Sequence, residues 1–325
     1  MRAKLIAAVA SVALFFGVGA HAAVLNGPGM QMLGMENYAG ARAYFESTLQ
    51  QNPRDADAAA GMALLSLAQD QNKAGVDWAQ KAIAMAPADA LYHMLLGVAY
   101  GQYVHDVGIF SQLGVAYKVR DAFQQAVQLD PQDARARAGL AKYYILAPGI
   151  AGGSFQKADE QLTALDRIDP VQAAAVRATW AEHDKQHAQA EADLRTAAKL
   201  DKTGDGDYWL GQFLVQQDRY AEAIAVFEDG INRNSANSSN YYGVGQAAAL
   251  GKIDVPKGIQ NLQKFLTMPH DWLPGTPTYK QAHYELGLLY AIAGDKANEK
   301  AQYVAALNLD PDYKQARDAL ASASL

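Results

Sequence analysis

Residues 279–311 run YKQAHYELGLLYAIAGDKANEKAQYVAALNLDP. Two helical phrases stand side by side in this stretch. In the first, Leu286, Gly287 and Tyr290 put an apolar residue, a glycine and an aromatic at helical spacing. In the second, Tyr303 and Ala306 form an apolar–small stripe that stops at Pro311. Proline cannot continue a helix, and it biases the residue before it out of the helical region. The glycine lets one helix approach its neighbour where a side chain would clash. Outward from this stretch both phrases recur. LGVAY (96–100) and LGQFL (210–214) repeat the first, with looser forms around Gly61, Gly139, Ala178 and Gly243. FESTLQQNP (45–53), WAQKAIAMAP (78–87), FQQAVQLDP (123–131) and LTALDRIDP (162–170) repeat the second.

On these residues the chain resembles the tetratricopeptide-repeat (TPR) family, built from helix–turn–helix units of about 34 residues. Leu286, Gly287, Tyr290, Tyr303, Ala306 and Pro311 fit one unit, with Glu299 where a small residue is usual. Leu210, Gly211, Leu214, Tyr220, Ala223, Phe227 and Gly230 fit another, which has Ser235 in place of the closing proline. Ala178, Ala190, Leu194 and Ala197 make a weaker unit with Lys202 at that place. The resemblance implies an all-α, right-handed superhelical solenoid over roughly residues 30–325. About eight units are expected, at 30–53, 54–87, 88–131, 132–170, 171–203, 204–235, 236–268 and 278–311. The first is expected to hold little more than its second helix. Residues 312–325 form the capping helix, where Lys314, Gln315 and Asp318 solvate the open end. No unit can bury its apolar face alone, so residues 23–325 are expected to form a single solenoid.

Residues 1–22 stand apart from the repeat. Arg2 and Lys4 precede an apolar run from Leu5 to Val18, and Ala20-His21-Ala22 forms a small-x-small site. This is the layout of a signal peptide cleaved after Ala22, which predicts a periplasmic or secreted protein. The run is shorter than the roughly 20 apolar residues a membrane span needs, and no later segment reaches 18. Removing Arg2 and Lys4 from the 28 basic residues leaves 26 against 34 acidic ones, a net charge of −8. That balance argues against a nucleic-acid partner. The chain has no cysteine, which excludes disulfides, thiol nucleophiles and iron–sulfur clusters. Alanine accounts for 64 of the 325 residues, about one in five, as closely packed helix pairs require.

Three insertions break the regular spacing, at 101–117, 147–154 and 268–278. In the first, Tyr103, His105 and Phe110 are candidate contact residues, and His105 beside Asp106 raises an acid–base alternative. In the second, Pro148, Gly149, Gly152 and Gly153 precede Ser154, a good N-cap. A glycine-rich loop that feeds a helix can hold an anion, or simply turn. These inserts carry the alternative function, small-molecule or glycan binding or a cryptic hydrolase. His183, His187 and Glu191 have metal-stripe spacing, but Asp184-Lys185-Gln186 is expected to be a turn that breaks it. Asp201 to Asp207 is similar to a calcium loop, with Gln212 where the bidentate Glu belongs. No cofactor, metal or catalytic constellation is expected.

In the TPR family the first helix of each unit lines the concave groove, facing it three residues before and one and four after the signature glycine. Aligned on Gly61, Gly97, Gly139, Gly211, Gly243 and Gly287, this implies groove residues Met62, Met94, Leu140, Tyr143, Tyr208, Gln212, Asn240 and Tyr284. The set is apolar and aromatic, without the Lys/Arg/Asn cluster that grips a peptide carboxylate. The expectation is a non-enzymatic scaffold that binds protein or peptide segments, with self-association as a further possibility.

Overall fold

A computed structural model describes residues 27–270 and 275–323. The expected signal peptide and part of the third insertion lie outside them. The described residues form seventeen α-helices and no strand. They divide into two compact units, one of the described residues up to Ala197 with Gly275, the other of Ala198 onward without it.

The first unit contains α1 (Pro28–Gly34), α2 (Tyr38–Gln51), α3 (Ala56–Ala68), α4 (Asn72–Met85), α5 (Ala90–Tyr103), α6 (Ile109–Leu129), α7 (Ala134–Leu146), α8 (Phe155–Ile168) and α9 (Pro170–His183). After α10 (His187–Leu200) come α11 (Asp205–Gln216), α12 (Tyr220–Arg233), α13 (Ser238–Gly251), α14 (Val255–Phe265), α15 (Tyr279–Ala293), α16 (Lys296–Leu309) and α17 (Lys314–Ala323). The 30–53 unit therefore has a short first helix as well as its second.

Local chemistry sets the helix starts. Asp55, Asp89, Asp133 and Asp169 each accept a first-turn backbone N–H, shortly after a proline or at one. Asn237 and Thr278 do the same for α13 and α15, and Thr278 closes a capping box with Gln281. Such caps contribute about 1 kcal/mol each. Between the two helices of five pairs, a single residue at positive φ reverses the chain. It is Glu36, Asp70, Lys185, Asp218 or Gly294.

Packing then locks the pairs together. A Cβ on Gly97 would stand 3.0 Å from the ring of Phe123, and one on Gly139 2.5 Å from it. Phe227 sits the same way between Gly211 (2.3 Å) and Gly243 (2.5 Å). Each ring thus lies between the first helix of its own pair and the first helix of the next.

These contacts correct the repeat register. Gly97 and Gly211 face the second helix of their own pair, as do Gly245 against Leu262 (2.1 Å) and Gly287 against Tyr303 (2.2 Å). Gly61, Gly139 and Gly243 face the preceding pair, at Phe45, Phe123 and Phe227. They occupy a different repeat position, two residues earlier. The counterparts of Gly97 are Ala63, Ala141 and Gly245, each eight residues after its N-cap (Asp55, Asp133, Asn237), just as Gly97 follows Asp89.

The insertions also take definite shapes. Residues 101–117 are mostly helical rather than loop: a short turn after α5 leads into α6, whose 21 residues begin at Ile109. Residues 147–154 contain a 3-10 turn, Gly149–Ala151, and Gly152 at φ 85.

Candidate partner-binding face

In the first unit the corrected register gives Ala60, Met94 and Ala138 three residues before the small residue, and Leu64, Val98 and Lys142 one after. All six are buried. Met62, Leu140 and Tyr143, expected in the groove from the shifted register, are buried in the packing between helices. Tyr143 donates its hydroxyl to the Ala151 carbonyl at 2.6 Å, so it holds the second insert. Met94 is in register but buried. Lys142 is fully buried, and burial lowers its ammonium to about 7. Sequence reasoning passed over it, although a lysine inside AKYYIL breaks an otherwise apolar run.

The second unit differs. The same position there holds Tyr208, Tyr242 and Tyr284, followed by Gln212, Gln246 and Leu288. Helix α13 packs beside both α11 and α15, which brings the three first helices together. Gln212 donates Nε2 to Gln246 Oε1 at 3.0 Å, and Gln246 donates Nε2 to the Tyr242 hydroxyl at 3.4 Å. Tyr208, Gln212, Gln246, Tyr284 and Leu288 are half-exposed, whereas Tyr242 is buried. Burial pushes the Tyr208 and Tyr242 phenols up, so both are neutral donors and acceptors. The Tyr284 ring lies 6.1 Å from that of Tyr303 and 5.8 Å from that of Tyr313. Asn240, expected in this face, is instead fully buried and donates to the Gly204 carbonyl at 2.8 Å. The two-residue shift moves it from the face to the seam between pairs. Tyr242 and Gln246, which take its place, could have been found from the 34-residue step between Gly211 and Gly245.

The inserts of the first unit come together. Tyr117 on α6 donates its hydroxyl to the Ile150 carbonyl at 2.6 Å, and the Arg120 guanidinium lies 4.9 Å from the Tyr117 ring centre. The N–H groups of Gly152, Gly153 and Ser154 bond to the carbonyls of Gly149, Pro148 and Tyr144. They are not free for an anion, and Pro148 and Gly149 serve the turn itself. Tyr103 is half-buried. His105 is exposed, and the Asp106 carboxylate accepts from Asn72 Nδ2 at 3.1 Å, so the two do not form a coupled pair. Phe110 is 98% exposed at the free end of α6, beside exposed Ile109 and Leu113.

His183 and His187 fall on different helices. His183 pairs with Asp184 at 2.8 Å and His187 with Glu182 at 2.7 Å. Among the described residues no cluster could hold a metal ion. The Asp201 carboxylate accepts from the backbone N–H groups of Thr203 and Gly206 and from the Thr203 hydroxyl, which closes the calcium-like loop on itself. No described helix is long and apolar enough to cross a membrane.

Three family models, each described as tetratricopeptide repeat, match residues 32–98, 184–239 and 280–313. No curated protein sequence matches the chain. Among solved structures, yeast Tom70 is similar with a TM-score of 0.60 at 13% identity, over 97% of this chain and 68% of that one. The APC/C hetero-tetramer Cut9–Hcn1 aligns at 14% identity and a TM-score of 0.48, over 91% of this chain. The chain spans 54% of that structure's chain. Pseudomonas aeruginosa pilF aligns at 16% identity and a TM-score of 0.44, over 72% of this chain and 97% of that one. The chain thus carries tetratricopeptide repeats, and its fold is that of a TPR solenoid.

Proposed function

We propose that the chain is an exported scaffold that holds protein or peptide segments along the first helices of its second unit, without catalysis of its own. The observation that carries this is the row Tyr208, Tyr242, Tyr284, reinforced by Gln212 and Gln246. The half-exposed rings of Tyr208 and Tyr284, backed by buried Tyr242, supply rigid apolar area, and the glutamine amides and exposed hydroxyls supply hydrogen bonds to an extended backbone. Phe110 at the tip of α6 offers a second contact. The signal-peptide layout of residues 1–22 supports export to the periplasm or beyond.

The test compares proteins cross-linked in the cell to the intact chain with those cross-linked to Tyr208→Ala/Tyr284→Ala and to Phe110→Ala. Partners that persist in the tyrosine double variant, with its helicity retained, refute the second-unit face. N-terminal sequencing of the exported fraction is expected to begin at Ala23; retention of Met1 in a cytosolic fraction refutes export.

A further inference from the structure

Glu285 lies on α15 beside Tyr284, two residues before Gly287. Only 7% of its surface reaches solvent, and its Oε2 is enclosed with no hydrogen-bond partner among the described residues. An enclosed carboxyl oxygen without a partner is costly and needs a reason. Its surroundings are tyrosines. Burial raises the phenols of Tyr242 on α13, Tyr284 beside it, Tyr303 on α16 and Tyr313 just ahead of α17, and the Glu285 carboxylate adds to each of these shifts. The Tyr284 ring stands within 6.1 Å of both Tyr303 and Tyr313, and Tyr284 and Tyr313 are half-exposed, so the cluster opens at that pair.

The charged neighbours have other partners. Lys280 binds Asp310 at 2.8 Å with its ammonium 5.7 Å from the Tyr313 ring centre, Lys296 lies 3.0 Å from Glu299, and Lys257 on α14 binds Glu228 at 2.9 Å. His283 bonds to Gln302 at 2.7 Å. Burial alone pushes the Glu285 carboxyl up to about 8, so it is protonated at neutral pH.

We propose that Glu285, with the rings of Tyr284 and Tyr313, forms a receptor for one cationic side chain, a lysine ammonium or an arginine guanidinium, of a protein held along this face. A cation gives the unpaired carboxylate a charge-assisted partner, and tyrosine faces attract it through the ring quadrupole. Glu285 then ionises and releases its proton to solvent, so binding tightens as pH rises. The inference rests on the second unit carrying the partner face.

The experiment titrates Gly-Arg-Gly, Gly-Lys-Gly and Gly-Gln-Gly, all blocked at both ends, into the full chain by calorimetry at pH 6.5 and 8.5. At least one basic peptide is expected to bind at least tenfold more tightly than the glutamine peptide. Its affinity is expected to rise about tenfold between the two pH values, with proton release visible from buffers of different ionisation enthalpy. Glu285→Gln should reduce binding at pH 8.5 at least tenfold without lowering the melting temperature. Tyr284→Phe should stay within about threefold and Tyr284→Leu should fall further. Equal binding of the three peptides, no binding, a flat pH response, or an unaffected Glu285→Gln overturns the proposal. Tyr208→Ala separates the two claims: if cell-derived partners survive it while Glu285→Gln still abolishes peptide binding, the face fails and the cation receptor stands.

Discussion

At the repeat position three residues before the close helix contact, the first unit has Ala60, Met94 and Ala138, and the second has Tyr208, Tyr242 and Tyr284. One residue after that contact, Leu64, Val98 and Lys142 are matched by Gln212, Gln246 and Leu288. Close helix contacts of this kind recur in both units, so at these positions the contrast lies in what the side chains present. The first unit buries all six and builds its distinctive surface from the inserts, where Tyr143 and Tyr117 tie the 3-10 turn to neighbouring helices. The second unit keeps most of its six half-exposed. One fold therefore separates the residues that hold pairs together from those free to vary, and the latter, with the inserts, distinguish the two units.

The deepest shared feature gives the largest effect. Phe123→Ala and Phe227→Ala each empty the space between two glycine-bearing helices, where no nearby side chain can fill it. Each is expected to cost about 3–5 kcal/mol. Hydrogen exchange should lose protection around α5–α7 in the first variant and α11–α13 in the second. Loss spread evenly over both units in either variant would break the division at Ala197.

The buried charges make the units respond to pH with opposite sign. Glu285 keeps its proton up to about pH 8 in the fold, whereas an ordinary glutamate releases it near 4.5. The folded chain then binds the extra proton between those values, and this group's contribution to stability falls as pH rises through them. Lys142 loses its proton near 7 in the fold and near 10.5 when unfolded. Here the unfolded chain binds the extra proton, so stability rises from about pH 7 to 10.5 and is lower below. At about 1.4 kcal/mol for each pH unit, either effect amounts to a few kcal/mol at most. Glu285→Gln should raise the melting temperature at pH 8.5 and leave it nearly unchanged at pH 4. Lys142→Met should raise it at pH 6 more than at pH 10. The same pH trend in both variants would contradict the assignment.

A smaller effect separates tyrosines that hold a turn from those that face outward. Tyr143→Phe and Tyr117→Phe each leave a turn carbonyl without its donor, for about 1 kcal/mol. Faster proteolysis at Ile150, itself exposed, is the readout. Tyr284→Phe removes a hydroxyl that makes no hydrogen bond in the structure, and it should shift stability by less than about 0.5 kcal/mol. Equal costs in all three would remove the distinction between the units.

Much of this fold was legible in the sequence because its determinants are local. Pro53, Pro87, Pro131 and Pro311 end helices wherever they stand, and Asp or Asn caps start them. The break between His183 and His187 followed from the turn at Asp184-Lys185-Gln186. The groove was less legible, since it depends on which of two glycine positions a unit carries. Gly61, Gly139 and Gly243 resemble Gly97 in sequence, but each meets a ring from the preceding pair. Aligning on them moved Met62, Leu140, Tyr143 and Asn240 into the groove on paper and left out Tyr242, Gln246 and Lys142. The convergence of the inserts was hidden for another reason. The hydrogen bond from Tyr117 to Ile150 spans 33 residues, and no local pattern encodes it. Glu285 gave no signal either, because a glutamate in a helix is ordinary until its burial is known.

Glycine itself gives the finest test of the register. A methyl added at Gly245 would come within 2.1 Å of Leu262, inside the contact that joins α13 to α14. Gly245→Ala should therefore cost about 1–3 kcal/mol, because close-packed side chains must move to admit it. Gly101, near the end of α5, has nothing within 4 Å of the place its Cβ would take. Alanine there only narrows the unfolded ensemble and improves helix propensity, so Gly101→Ala should raise stability by about 0.5–1 kcal/mol. Gly101 lies four residues after Gly97 and shares its helix, yet the two differ because only Gly97 faces Phe123. If both alanine variants moved stability in the same direction, close approach would not explain the recurring glycine.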